Sequence, residues 1–220
     1  MKTKVKQYGI FLIGLCIASF GVAFSAKAGL GTSPVASVPY SVSLLNHTLT
    51  FGGWLNVWSV LQIMIQVALL RRKCNFIEIG IQTLLAFVHG YMTDLFGILL
   101  TWIDPSSYTI RFLLMLIGCV LLAFGIWVQF KGGVAMLPGE AMNRAISIVT
   151  GFRYENIKVF FDILYIAVAA AICLIFIGRL EGVREGSIIA AVLIGNLIKL
   201  FNRMFGKKES AAMKADESNS

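Results

Sequence analysis

The sequence has few charged residues for its length, and their scarcity is the first clue to its class. Only 14% of the 220 residues are charged, whereas a soluble domain carries about 25%. Residues 9–26, 54–70, 112–130 and 186–198 contain no charged residue. A helix that crosses a hydrocarbon core of about 30 Å needs about 20 mostly apolar residues. Because these runs lack the alternating pattern of membrane β-barrels, they predict an all-α polytopic membrane protein.

The sequence also lacks the short motifs by which many enzymes and ATP-driven pumps are recognised. It has no Walker phosphate loop, dinucleotide fingerprint, Gly-x-Ser-x-Gly or zinc-protease motif. Its four cysteines show no metal-ligand spacing, and His47 and His89 have no second ligand at helical spacing. We therefore predict no enzyme activity, no cofactor and no metal. An enzyme would need a site without a local signature, and an ATP-driven pump would need a separate subunit.

The net charge of +8 is explained by a membrane rather than by nucleic acid, because basic residues lie at the ends of apolar runs. They are Lys2, Lys4 and Lys6, then Arg71, Arg72 and Lys73, then Arg203, Lys207 and Lys208. This placement is typical of cytoplasmic loops under the positive-inside rule. We predict a multi-pass protein of a bacterial cytoplasmic membrane, with both termini cytoplasmic, the lipid bilayer as its partner and no nucleic-acid binding.

An internal repeat is visible when the sequence is shifted by 104 positions, which aligns residues 10–34 with 114–138. The identical pairs include Gly14/Gly118, Gly21/Gly125, Lys27/Lys131, Gly29/Gly133 and Pro34/Pro138. Shared apolar character does not align lysine, glycine and proline at one offset. The alignment therefore indicates two homologous halves, and a first helix that has a twin in mid-chain is not expected to be a cleaved signal peptide.

The repeat sets the domain organisation. We predict one membrane domain, residues 1–206, made of repeats 7–103 and 110–206. Residues 207–220 are polar and poor in apolar side chains, a composition typical of disorder. They are predicted to form a disordered cytoplasmic tail.

Each half is predicted to contain three long transmembrane helices and one short helix broken by glycine and proline, in residues 28–48 and 132–151. If the broken segment re-enters the membrane, each half crosses three times and the repeats are inverted. If it spans, each half crosses four times and the repeats are parallel. Three crossings place Arg71 and its basic neighbours inside, so we favour inversion. Residues 28–70 contain no Lys, Arg, Asp or Glu, so two spans would also fit there.

The broken segments are the first candidates for a site. Pro34 and Pro138 suit the first turn of a short helix, and Gly29, Gly31 and Gly133 permit sharp turns before them. A helix that starts within a membrane directs unsatisfied N–H groups at whatever lies in front of it, as in transporters with broken helices. The alternative is a kinked helix, or a close helix contact that would also permit a homodimer.

Charged residues of the second half are the next candidates. Glu140 and Arg144 are four residues apart and so are Lys158 and Asp162, so each pair shares a helix face and can form an ion pair. Ionisable groups at membrane depth are expensive and face a cavity or a partner. The alternative is a structural pair near the interface, with Lys158 reaching outward.

Two further lysines complete the predicted path. Lys27 and Lys131 end the first helix of each half and are expected to guard its entrances. Asp94 and Lys199 lie at corresponding places in the fourth helices, where they either pair across the halves or lie at a water interface.

These residues resemble the YczE/YyaS/YitT family of bacterial integral membrane proteins over residues 8–205. The resemblance rests on residues 29–34 (GLGTSP), 137–140 (LPGE), Lys158 and Asp162. Acid and base types of the family pattern are kept, whereas a Gly-Ile-Gly-Thr element of the family is altered to residues 184–187 (REGS). The resemblance implies a membrane protein in which Glu140, Lys158 and Asp162 act together, and transport is the activity suspected for the family.

The combined features predict a secondary transporter or facilitator of a small solute or ion. Two repeated halves, broken helices and intramembrane charges are the features that favour it. The alternative is a non-transporting membrane protein that serves as an assembly or regulatory factor, which would need a docking surface and no through-path. A sealed, dry centre would favour that alternative.

Overall fold

The computed structural model describes residues 2–71, 75–134 and 136–217, and it describes side chains over 5–71, 75–134 and 136–205. This part of the chain forms eight α-helices and no β-strand. They are α1 (Lys2–Ala28), α2 (Pro34–Leu45), α3 (Phe51–Leu70), α4 (Phe76–Leu99), α5 (Tyr108–Gly132), α6 (Pro138–Thr150), α7 (Tyr154–Ile172) and α8 (Glu185–Glu217). The predicted all-α class is therefore confirmed.

Five of these helices are long and apolar enough to cross a membrane: α1, α3, α5, α8 and α7 with the π-helical turn Cys173–Ile177 that extends it. The prediction of a multi-pass membrane protein is confirmed at this level. The sequence predicted six such helices, but α4 is not among the five. It spans 24 residues and carries Glu78, His89 and Asp94, which lower its apolar character.

The two short helices begin at the predicted prolines, Pro34 and Pro138, each in a first turn. Proline fits there because its missing N–H has no partner within a helix. The residues before them, Ser33 and Leu137, provide no side-chain cap. The starts of α3, α4 and α5 differ, since each has a side chain that accepts a bond from a free backbone N–H. The first turns of α2 and α6 thus lack a side-chain cap, although the N–H groups of Ala36 and Ala141 are bonded to the carbonyls of Ser33 and Leu137.

Helices α1 and α5 form the centre of the bundle and pack through glycines in opposite directions. A Cβ on Gly14 would meet the carbonyl oxygen of Gly125 at 2.8 Å, and Gly21 approaches Gly118 in the same way. As the residue number rises on α1 it falls on α5, so the two helices are antiparallel. Small residues allow such close approach in membranes. We call the end where α1 begins and α5 ends the near end, and the other the far end.

The fourth helix of each half lies beside the first helix of that half. Leu85 of α4 packs against Leu15 of α1, and Phe96 contacts Phe20 with ring centroids 4.8 Å apart. Residue numbers rise together in these contacts, so α4 runs parallel to α1 and ends at the far end.

Helix α8 relates to α5 as α4 relates to α1. Ala190 shares an apolar cluster with Cys119, and Phe201 contacts Phe124 at 5.5 Å. Helix α8 therefore runs parallel to α5, towards the near end.

Helix α3 forms an antiparallel hairpin with α4. Gln82 donates to Gln66 at 3.0 Å, and Asp94 accepts from the backbone N–H of Gly52 at 2.7 Å. Since α4 ends at the far end, α3 begins there. The carboxylate of Asp94 thus caps the start of α3 rather than pairing with Lys199, which lies at a cavity instead.

The end of α8 differs from the predicted tail. The helix continues to Glu217, whereas the sequence predicts disorder from Lys207. Alanine, lysine, glutamate and methionine dominate residues 207–217 and are good helix formers. Residues 218–220 lie outside the described residues, and the cytoplasmic position of the tail stays a prediction.

Candidate functional site

The two short helices start at one central cavity of about 450 Å³. Pro34 of α2 and Pro138 of α6 both line it, together with Ser33 and Gly139 that adjoin them. The sequence separates these prolines by about a hundred residues, and the fold brings them to one space. The remaining polar or ionisable residues in its wall are Ser59, Gln62, His89, Glu140, Tyr154, Glu155, Lys158, Asp162 and Lys199.

An ion pair lies in the wall of this cavity. The ammonium of Lys158 is 3.1 Å and 3.2 Å from the two carboxylate oxygens of Asp162. The side chains keep 33% and 20% of their surface, so they face a cleft rather than open water. The pair follows from the spacing of four residues on α7. This predicted contact is confirmed.

Glu140 adds a second carboxylate to the same cavity. It lies in the first turn of α6 and is half-buried. It interacts electrostatically with Lys158 and Asp162. No cation lies within ion-pair distance of it in the described part of the chain. A carboxylate at a helix N-terminus is favoured by the helix dipole. The set of Glu140, Lys158 and Asp162 therefore surrounds one space, as the sequence predicts.

The predicted ion pair between Glu140 and Arg144 is wrong. Arg144 contacts the sulfur of Met136 at 3.8 Å and is exposed. Its place is the wall of a different cavity, whereas Glu140 lines the central one. The two side chains are one turn of α6 apart, and each lines a different cavity.

This second cavity, which we call the vestibule, has a volume of about 610 Å³ and lies at the near end. It is bounded by Leu70 at the end of α3, Asn75 before α4, and Gly133 after α5. Three glutamine side chains also line it, at positions 66, 82 and 129. Phe130 lines both the vestibule and the central cavity. Phe130 is thus a residue that the two cavities share, and half of its surface is exposed.

At the far end, the segment before α2 is packed tightly against the start of α8. The N–H of Gly186 donates to the carbonyl of Leu30 at 3.0 Å, and the hydroxyl of Ser187 accepts from the N–H of Thr32 at 3.2 Å. Gly31 between them has φ +96° and no room for a side chain beside Ser187. We call this contact the far seal. Residues 184–187 are the altered form of the family's Gly-Ile-Gly-Thr element. They form hydrogen bonds to the first broken segment.

The far seal and the vestibule involve corresponding positions of the predicted repeat. Val134 and Met136 stand 104 positions after Leu30 and Thr32, and Gln82 stands 105 before Ser187. All three line the vestibule. Among the described residues, no hydrogen bond like those of the far seal joins these segments at the near end, where Val134 and Ile81 both pack on the apolar cluster of Phe11, Leu15 and Leu85.

The other predicted path residues lie elsewhere. Lys27 is half-buried and lines neither cavity. Lys131 also lies outside both linings, with its ammonium 4.5 Å from the ring centre of Trp127. Gly29 has φ +65° in the turn after α1. The predicted role of these lysines as entrance guards stays a prediction.

Buried polar side chains also belong to the site, and Gln129 is the one among them that the sequence analysis did not single out. His89 is bonded to the hydroxyl of Ser19 at 2.7 Å, and Gln62 donates to Tyr165 at 3.3 Å. Gln129 lies within an otherwise apolar run. Its polarity is the one feature of the sequence that could have marked it as a site residue. Among the described residues, no group of three His, Cys, Asp or Glu residues could hold a metal ion.

Comparison with known proteins identifies a family whose function is unknown. A family described as being of unknown function, DUF6198, matches residues 5–203. The uncharacterized protein YyaS of Bacillus subtilis (strain 168) is 26% identical over 196 residues, which cover 89% of this chain and 92% of that protein. No solved structure matches the chain. The similarity to YyaS confirms that part of the resemblance found in the sequence, and the wider grouping with YczE and YitT stays an expectation.

Proposed function

We propose that this chain, which belongs to the DUF6198 family of unknown function, is a secondary transporter or facilitator that moves a small solute across a bacterial cytoplasmic membrane. The single observation that carries the proposal is the central cavity, where the first turns of α2 and α6 meet Glu140, Lys158 and Asp162. Transporters built from repeated halves use helices broken at this depth to hold substrate groups.

The chemistry of the cavity suits a polar solute. Uncapped N–H groups at the starts of α2 and α6 provide hydrogen-bond donors and partial positive charge. Lys158, Asp162 and Glu140 provide charged groups that a solute or a proton can engage. Charged side chains are expensive inside a membrane and persist there where they face partners or water. This combination supports a hydrated path rather than a packed core.

The proposal includes inverted repeats with re-entrant short helices. The antiparallel packing of α1 and α5 supports inversion, because these are the first helices of the two predicted halves. The direction of α3 supports re-entry. Helix α1 ends at the far end and α3 begins there, so α2 enters and returns on one side.

The near end is proposed to face the cytoplasm. Arg71 at the end of α3, Arg153 before α7 and Arg203 near the end of α8 lie towards this end, as does Lys131. Basic residues concentrate on the cytoplasmic side. Arg72 and Lys73 lie outside the described residues. This orientation places both termini in the cytoplasm.

In the proposed transport cycle the two ends open in turn. The far seal closes one end, whereas the vestibule opens the other, and Phe130 is shared by the vestibule and the central cavity. In this proposal, the arrangement is the state that is open towards the cytoplasm. Rocking one repeat against the other around a fixed site is the motion that inverted repeats permit.

An assembly or regulatory factor remains the rival function, and two features favour transport over it. The centre contains a cavity of about 450 Å³ whose mostly apolar wall includes Glu140, Lys158 and Asp162, rather than a filled core. The glycine faces of α1 and α5 are occupied inside the chain, where these two helices pack on each other. Homodimerisation stays a prediction.

The test is solute uptake by proteoliposomes that contain the full chain, measured over a panel of labelled polar metabolites. We expect concentrative or facilitated uptake of at least one class, and a strong loss of that uptake in Glu140→Gln and Asp162→Asn. Arg153→Gln changes an exposed arginine and is the matched control. If both acidic variants transport the solute as the wild type does, the site assignment is wrong. Absence of uptake across the panel would favour the rival function.

A further inference from the structure

The vestibule contains a cation that has no carboxylate partner. Arg144 lies in its wall, and its guanidinium contacts the sulfur of Met136 at 3.8 Å. None of the ion pairs formed by the described residues includes Arg144. A guanidinium carries five N–H donors in a planar fork that matches carboxylate and phosphate groups. Its donors are therefore available to a ligand in this cavity.

A buried amide without a hydrogen-bond partner lines the same space. Gln129 exposes only 5% of its surface, and its side-chain nitrogen has no partner among the described residues. An unsatisfied buried polar group is costly and needs an explanation in a native structure. The nitrogen itself is covered, so a ligand in the vestibule that accepts hydrogen bonds would satisfy it once the amide turns towards the cavity.

The acidic residue of the vestibule does not neutralise this arrangement. Glu78 accepts a hydrogen bond from the amide of Asn75 at 3.1 Å. It lies in the first turn of α4, where the helix dipole favours a negative charge. The nearby amides of Gln66 and Gln82 are bonded to each other at 3.0 Å. Arg144 and Gln129 are thus the donors of this cavity that are left for an incoming group.

We infer that the vestibule is a binding subsite for an oxyanion, a carboxylate or phosphate group, which Arg144 and Gln129 hold together. The chemistry is a bidentate guanidinium contact plus one amide donor, in a space of about 610 Å³ that accommodates a small metabolite. The inference rests on the proposed function for its place on a transport path, where this subsite would receive an anionic solute before it passes Phe130.

The test measures binding without a gradient, so it fails or succeeds independently of transport. The melting temperature of the purified full chain in phosphatidylcholine nanodiscs is followed against sodium phosphate and sodium succinate, at ionic strength fixed with sodium chloride. We expect a rise that grows with ligand concentration in the wild type and in Arg153→Gln. In Arg144→Gln we expect at least about tenfold weaker binding, because a charge-assisted hydrogen bond is lost.

The source of the oxyanion is distinguished by a lipid arm. Nanodiscs that contain phosphatidylglycerol replace the free anions as the probe. Stabilisation by free phosphate or succinate, lost in Arg144→Gln, supports a solute. Stabilisation by phosphatidylglycerol alone, lost in the same variant, assigns the subsite to a lipid headgroup. An equal rise in wild type and Arg144→Gln, or no rise with any probe, overturns the inference.

Two further measurements protect the test from a folding defect. Arg144→Lys keeps the positive charge on an exposed side chain but loses the planar fork of N–H donors, so we expect weaker phosphate binding without a lower melting temperature in the absence of phosphate. On the unmodified chain, phosphate is expected to protect Arg144 from an arginine-modifying dicarbonyl reagent, read by mass spectrometry, while Arg153 stays reactive. Equal reactivity of the two arginines with and without phosphate contradicts the inference.

Discussion

The far end and the near end of the bundle place corresponding segments in opposite arrangements. At the far end, Leu30 and Thr32 are hydrogen-bonded to the start of α8. At the near end, Val134 and Met136 face the start of α4 across the vestibule. On the α8 side of this contact lie Gly186 and Ser187, whose small size lets two backbones meet. The corresponding residues of α4, which line the vestibule, are the larger Ile81 and Gln82.

The comparison teaches that one fold can hold two states of the same junction. If the halves are equivalent in topology, the difference between the ends reflects a position in a cycle. If the difference is fixed by side-chain size alone, the far end never opens and no path exists. The following experiments separate these two accounts, ordered from the largest expected effect to the smallest.

The largest effect is expected from locking the far seal. Thr32→Cys combined with Ser187→Cys, in a chain whose native cysteines are replaced, puts thiols on two neighbouring residues, since the backbone N–H of Thr32 is 3.2 Å from the side-chain hydroxyl of Ser187. Linking them by oxidation or with a short bifunctional thiol reagent should abolish uptake, and reduction should restore it. Each single variant is the control. Full uptake by the linked protein would show that the far end does not open.

A second large effect is expected from the ion pair of the central cavity. Lys158→Met leaves Asp162 without its partner at membrane depth. Because the pair is partly exposed, we expect a loss of about 1–3 kcal/mol in the free energy of unfolding. We also expect uptake to fall about tenfold or more, which corresponds to about 1.4 kcal/mol of lost interaction.

Arg153→Gln provides the comparison for Lys158→Met. Its pair with Glu155 keeps 82% and 72% of side-chain surface, so removal should change the free energy of unfolding by no more than about 0.5 kcal/mol. Chemical unfolding measures the free energy of unfolding of both variants, and the proteoliposome assay measures their uptake. Equal effects of the two substitutions would place Lys158 outside the functional site.

A moderate effect is expected from Gly31→Ala, which adds a side chain against Ser187. The positive φ alone costs about 1 kcal/mol for alanine, and the clash adds a bias against the sealed state. Gly178→Ala is a matched control, because Gly178 has φ +76° and nothing within 4 Å of its Cβ position. Both variants should lose stability. We expect Gly31→Ala alone to raise the labelling of Thr32→Cys by an impermeant thiol reagent from the outside, and equal labelling in both would refute the steric account.

The smallest effect is expected from Asp94→Asn at the far end. Asp94 accepts from the N–H of Gly52 and contacts the hydroxyl of Thr50, and thereby caps α3. A lost cap costs about 1 kcal/mol. The free energy of unfolding should fall by that amount while uptake per folded molecule stays unchanged. A large loss of uptake at unchanged stability would move Asp94 from the scaffold into the path.

Much of the fold could be predicted from sequence because bilayers impose simple rules. Uncharged runs of about 20 residues predict helices, and the prolines at 34 and 138 predict the starts of the short helices. The pairing of Lys158 with Asp162 follows from helix periodicity. Helix α4 shows the limit of this rule, since it is long but carries Glu78 in its first turn and His89 and Asp94 further along.

The site could be predicted only in part, because spacing does not reveal which cavity a side chain faces. Glu140 and Arg144 share a helix face but line different cavities. Gln129 is one polar residue in an apolar run, and its missing hydrogen bond is visible only in three dimensions. The far seal depends on Gly186, which meets Leu30 across a long sequence separation. A single sequence contains no sign of such pairings.

The most direct test of a path that opens at alternate ends compares two single-cysteine variants, Leu30→Cys in the far seal and Val134→Cys in the vestibule. Each is treated with an impermeant thiol reagent from one side of the membrane at a time. We predict that Val134→Cys reacts rapidly from the cytoplasmic side only, and that Leu30→Cys reacts slowly but measurably from the external side only. A Leu30→Cys protein that stays unlabelled from both sides, or two variants that react from the same side, would contradict this account.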